Sequence, residues 1–322
     1  MSNTETDPVE FVCVATNNRP TIRIIKAREV PLGGPRAMTV RRTLPHRDRS
    51  FVGAWCFVDH YGPQDVAASG GMDVPPHPHT GLQTVSWLFA GEIEHRDSGG
   101  VHAMVRPGEV NLMTSGSGIA HSEVSTTATT VLHGIQLWIV LPEADREMPR
   151  DFQHYAAPAI TVDAGITVRV FIGSLIGTSS PITTRTPLLG AEVRLAAGTS
   201  WTVPVNSAFE HAILIDEGHV RFCDDHVERY DLAIVDAGRE VLTIEALADT
   251  RLLLLGGEPY NEQIVMWWNF IGSDHDQIVK FREQWQAHSA RFGDVSGYTG
   301  KLDRLPAPSL PHGQLKPRRR TA

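Results

Sequence analysis

The chain has 322 residues, enough for two domains of roughly 150 residues that each bury a core. Its net charge of −8 disfavours direct nucleic-acid binding through a broad basic face, and no apolar run approaches the ~20 residues of a membrane helix. Three widely spaced cysteines, Cys13, Cys56 and Cys223, argue against a disulfide framework; with an N-terminus lacking a secretory pattern, they point to a reducing, cytoplasmic compartment.

Along the chain, glycine and proline punctuate short runs rich in Val, Ile, Leu and Thr. "TGLQTVSWLFAGEI", "VLHGIQLWIVLP" and "ITVRVFIG" are followed by "HAILIDEGHVRF" and "TRLLLLGGEP". Many short strands with turn signals between them predict a β-sandwich or barrel. The charged, Pro-containing segment Leu141–Val162 breaks that rhythm and reads as the connection between two β domains. The second half echoes the first, "ILIDEGHVRFCD" against "WLFAGEIEHRD", as a duplicated β unit would. One helix is expected in "SDHDQIVKFREQWQAHSARFG", with Ser273 as N-cap and Ile278, Phe281 and Trp285 on one face. The aromatic cluster "MWWNF" before it reads as core packing, and the Pro-rich basic tail "LPAPSLPHGQLKPRRRTA" as a flexible terminus.

The residues that carry chemistry begin with "PPHPHTG". His77 and His79 are two apart, so on a strand both imidazoles share a face and can converge on one ion. With 15 histidines in the chain, such a pair is weak by itself. His121 and Glu123 in "TSGSGIAHSEV" repeat the spacing, as do His226 and Glu228, which read as strand-edge residues. Turns at Gly91, Pro107-Gly108, Gly116 and Gly118 would fold the first two pairs together across a small antiparallel barrel. At this point four satisfied polar residues and a metal clamp are both open readings.

The stretches "HPHTGLQTVSWLFAGEIEHRDS", "RPGEVNLMTSGSGIAHSE" and "GEPYNEQIVMWWNFI" resemble the pirins, a bicupin branch of the cupin superfamily. The resemblance implies an all-β chain of two cupin-type β-barrel (jelly-roll) domains with a C-terminal helix. It assigns residues 20–145 to a metal-binding domain and 160–295 to one without a metal, with 1–19 and 296–322 as extensions. It implies a single mononuclear divalent metal, iron first, held by His77, His79, His121 and Glu123; Mn, Ni, Cu and Zn also suit such donors. Where pirins commonly carry a glutamate four residues after the second histidine, this chain has Gln83. His95, Arg96 and Asp97 are read as a charged hydrogen-bond cluster at the barrel mouth. Asp59 and His60 are read as packing or as support behind the ligands, His133 as a satisfied core histidine, and His211 as lacking an HxH partner.

Two functions follow from the resemblance. One is a metal-dependent quercetin 2,3-dioxygenase that opens a flavonol ring with O₂, with a chelating aromatic substrate on the open metal face and Glu123 as catalytic base. The other is a metal- or redox-sensing regulator acting through a protein partner, a transcription factor or a metabolic enzyme. A sugar-phosphate cupin is disfavoured, because Arg96 and Arg106 are the cations of an otherwise cation-poor motif region.

Overall fold

The computed structural model describes residues 22–32, 38–67 and 71–318; Cys13, the 1–19 extension and the last basic residues of the tail lie outside them. In the first half, Leu82–Ala90, Val131–Val140 and Trp55–Asp65 lie inside a seven-stranded sheet. Asp73–His79, Ile119–Ser125, Ile93–Asp97 and His102–Val105 form a four-stranded sheet in that order. The second half repeats the plan. Glu210–Glu217 and Thr250–Gly257 lie within its seven-stranded sheet, beside a smaller sheet that contains Ser200–Pro204 and Val220–Phe222. Arg23–Ile25 pairs with Leu232–Val235 and so ties the first described residues to the second half. Within the Leu141–Val162 connection, Asp151–Ala156 is itself a strand and extends the first large sheet beside Glu109–Thr114.

Period-two alternation explains how the sheets stack. Ile213 and Ile215 join a core with Trp201, Val220 and Phe222, between the two sheets of the second half. Ala212 and Leu214, on the opposite face of the same strand, join Val85, Trp87, Ile135 and Leu137 of the first half. The large sheets therefore pack against each other. Strands buried on both faces read as near-continuous apolar runs, which is why "HAILID" shows little alternation. Each such Leu or Ile contributes roughly 1.5–3 kcal/mol on burial.

The helix spans His275–Gln286, and its buried residues are Ile278, Phe281 and Trp285, as read from the sequence. Its N-cap is Asp274, whose carboxylate accepts from the Gln277 N–H at 2.8 Å. Ser273, the expected cap, instead has its hydroxyl held by Arg146 (2.9 Å) and Glu143 (3.2 Å). The tail also departs from expectation, since it is laid down on the fold as far as residue 318. The Leu305 N–H donates to the Pro76 carbonyl (2.9 Å), and the Trp285 indole N–H donates to the Leu305 carbonyl (2.8 Å). Ala307, Leu310 and Leu315 pack against the aromatic cluster of Trp267, Phe270, Phe281 and Trp285. Apolar side chains spaced among the prolines give this segment surface to bury, which composition alone does not reveal. Among the described residues no helix is long and apolar enough to cross a membrane.

Candidate metal centre

Between the two sheets of the first half lies a cavity of about 740 Å³ of empty space, counted to its open mouth. His77, His79, His121 and Glu123 all line it. The strand Asp73–His79 is at the edge of its sheet, and its register slips by one residue across Pro75 and Pro76, both settings in which a strand tolerates proline. The prolines of "PPHPH" are therefore compatible with a strand that presents two imidazoles inward. Antiparallel register sets His121 opposite His77 and Ile119 opposite His79. The loop before His121 needs Gly116, at φ +49°, because a Cβ there would stand 2.0 Å from the Met148 carbonyl oxygen.

The three histidines are buried, and one ligand atom from each lies within 4.8 Å of the other two. The Nε2 atoms of His79 and His121 are 3.1 Å apart. Burial lowers the pKa of all three, that of His77 to about 4 and those of His79 and His121 well below the usual imidazole value, with neighbouring imidazoles adding to the effect. All three rings are thus neutral near pH 7, the form that binds metal. His77 donates from Nδ1 to the Pro75 carbonyl (2.9 Å), which leaves its Nε2 as a lone pair. The residues present therefore fit a metal ion.

Glu123 stands apart from this trio. A bulge between His121 and Glu123 shifts the register, so that Glu123 pairs with Val74, and its carboxylate lies outside the 4.8 Å group. Burial pushes its pKa up, opposed by His95 and by Ser86, whose hydroxyl lies 3.4 Å away. Gln83 donates its amide to Thr114 (2.8 Å) and makes no hydrogen bond to the triad among the described residues. Trp138 meets the His79 ring edge-on at 5.2 Å and stacks on Phe57 at 4.0 Å, giving the cavity an aromatic wall. Trp268 and Leu305 bring the C-terminal segment to the same cavity.

A second buried group, His60, His133 and Asp216, also has ligand atoms within 4.8 Å of one another and could hold a metal by composition. It lies where the two large sheets meet. Both imidazoles donate from Nε2 to Asp216 Oδ1, at 2.6 and 2.5 Å, and Arg251 Nε donates to Oδ2 at 2.5 Å. Burial raises the pKa of Asp216, but the hydrogen bonds from His133 and His60 outweigh it and hold the carboxyl below its usual range. The carboxylate is already fully engaged, and the adjacent guanidinium repels a cation. Sequence reading took His60 and His133 separately as core residues and missed Asp216. Its one signal was an acid inside the apolar run "HAILIDEG". His211 is fully buried, with no hydrogen-bond partner for either ring nitrogen among the described residues. The "EHRD" residues divide by face: Arg96 pairs outward with Glu94 (2.8 Å), while His95 and Asp97 turn inward.

The neutral imidazoles give a pH prediction. For His77 the pKa falls from 6.5 to about 4 on folding, so the unfolded chain binds more protons between those values. Stability fully present above pH 6.5 is then lost as pH falls toward 4, and burial of His60, His79 and His121 acts in the same sense. The urea midpoint of metal-free protein should fall steadily between pH 7 and 4; a flat midpoint would contradict this.

Family comparison agrees with this architecture. The Pirin family model matches residues 37–139, and the pirin C-terminal cupin domain matches 190–293. The chain belongs to the pirin family. A Pseudomonas aeruginosa protein provisionally named quercetin 2,3-dioxygenase is 39% identical over 287 residues, covering 89% of this pirin and 90% of that protein. The crystal structure of quercetin 2,3-dioxygenase from Acinetobacter baumannii superposes with a TM-score of 0.86 at 37% identity, covering 92% and 97% of the two chains. The Escherichia coli pirin YhhW, solved in complex with nickel(II), shares the fold at 20% identity and a TM-score of 0.57, covering 74% and 100%.

Proposed function

We propose that this pirin is a metal-dependent quercetin 2,3-dioxygenase whose single divalent ion is held by His77, His79 and His121, with Glu123 completing the set. The observation that carries this reading is the convergence of three neutral, buried imidazoles in a cavity walled by Trp138 and Phe57. The resemblance to proteins named for that activity supports it. Nitrogen and carboxylate donors without thiolate suit iron first, with manganese, nickel, copper or zinc compatible.

When bound, the ion supplies Lewis acidity at a flavonol's chelating oxygens and an electron path to O₂. The chain's own groups do the rest. The aromatic wall holds a planar ring system and excludes water, and Trp268 and Leu305 limit how far the substrate extends. Once off the ion, the Glu123 carboxylate, whose proton affinity burial raises, is suited to accept the proton of the substrate hydroxyl.

The test is aerobic loss of quercetin's visible absorbance, with carbon monoxide release, by protein loaded separately with iron, manganese, copper and nickel. Oxygen-dependent turnover with at least one metal is the expected result. Metal-loaded protein that leaves quercetin intact in every case would overturn the reading.

A further inference from the structure

We propose that the second half carries a ligand site of its own, a cavity that takes an uncharged, mainly apolar molecule through a hydroxyl bonded to His211, a phenol being the simplest. The site is separate from the metal cavity and does not rest on the metal reading.

The cavity has about 580 Å³ of empty space, counted to its open mouth. Leu189 and His211 reach it from the large sheet, and Pro204 and Val205 from the end of a strand in the smaller one. Along Glu210–Glu217, His211 shares its face with Ile213 and Ile215, core residues of this half, so the imidazole points between the sheets. Register sets Gly256 opposite His211 and Leu189 opposite Gly256, so the three form one row across three strands. The glycine makes room for the ring, since a Cβ at Gly256 would stand 2.9 Å from His211 Cδ2. Leu175, Ile176 and Phe209 extend the apolar lining, and no lining residue is charged. Ile176 lies in left-handed backbone, at φ +48°, a conformation that a β-branched residue rarely adopts. It belongs to the turn between Ser174–Leu175 and Thr178–Ser179, which forms one side of the mouth.

His211 singles this cavity out. Its ring is fully buried, and neither nitrogen has a hydrogen-bond partner among the described residues. Native interiors rarely leave such atoms unpaired, because the hydration lost on burial is then not replaced. Burial lowers the pKa to about 4, so near pH 7 the ring is neutral, with one N–H and one lone pair. A carboxylate or ammonium bound here would be desolvated without a counter-charge. A hydroxyl both donates and accepts, so it satisfies whichever nitrogen it meets, in either tautomer. An apolar ring on that hydroxyl fills the rest of the space. Phe209 is half-buried, with its ring 6.1 Å from the imidazole, and is the side chain that gives way as the hydroxyl approaches.

The experiment uses the full chain without metal and two probes of one shape, phenol and toluene. The readout is the methyl NMR signals of Leu175, Ile176, Leu189 and Val205. These report on this cavity, whereas the metal cavity, which can also take an aromatic ring, is lined by Val40, Val74 and Ile93. Wild type should give saturable shifts with phenol. His211→Phe keeps a buried ring and removes both unpartnered nitrogens. In it the ratio of phenol to toluene affinity should fall by roughly 3–10-fold, the worth of one hydrogen bond. Val205→Trp, which fills the half-buried mouth, should abolish the phenol shifts at Leu175, Ile176 and Leu189. Wild-type signals that stay unmoved in millimolar phenol overturn the proposal whether or not either variant folds. So does an unchanged affinity ratio in His211→Phe, or undiminished phenol shifts in Val205→Trp.

Discussion

His121→Ala is expected to abolish stoichiometric metal binding and, with it, any loss of quercetin. The change removes one of three imidazoles whose ligand atoms lie within 4.8 Å of one another. What remains is His77, His79 and a carboxylate outside that group. Losing an outer partner costs roughly 10–100-fold in metal affinity, so losing a direct ligand should exceed that range. The fold should survive, because the ring is a buried neutral group and its removal leaves no buried charge unpaired. His211→Ala is the matched control: it removes a buried histidine of the second half with no hydrogen-bond partner among the described residues, and metal binding should be unchanged. Metal titration of both variants checks this, and retention of one tightly bound ion by His121→Ala would contradict it.

Asp216→Ala is expected to have the largest effect on stability, about 3–5 kcal/mol, with no change in metal stoichiometry. It leaves the Arg251 guanidinium and the N–H groups of His60 and His133 without their common acceptor, both imidazoles being buried. Asp216→Asn should cost less, because its amide oxygen still accepts one of these donors. The sign with pH follows from the depressed carboxyl pKa. This contribution is fully present above about pH 4, the ordinary range of an aspartate, and is lost as pH falls through the lower folded value. It therefore disappears at more acid pH than the loss caused by the buried histidines. Urea unfolding at pH 7 measures the cost; a loss under about 1 kcal/mol would mean that the junction does not depend on this carboxylate.

A strand's period of two puts His77 and His79 on one face whatever the tertiary structure, but only the resemblance to pirins joined that pair to His121. The same rule puts His121 and Glu123 on one face, and the register slip in the facing strand, across Pro75 and Pro76, is not visible in it. The alternation of Ile93, His95 and Asp97 was equally visible, yet their position behind His121 depends on which strand lies next to theirs. His60, His133 and Asp216 could not be joined from sequence, because their contact exists only where two large sheets pack. Ser273 and Asp274 are both good cap residues, and the choice fell to Asp274 once Arg146 and Glu143 engaged the serine hydroxyl. The tail's prolines suggested mobility, whereas its order comes from an aromatic surface contributed by other segments.

Anomalous scattering from crystals of the iron-loaded protein, measured at the iron absorption edge, tests the metal centre most directly. One peak is expected about 2 Å from a ring nitrogen of each of His77, His79 and His121, with none at His60, His133 and Asp216. A peak at the second group, or no peak at the triad, would contradict it.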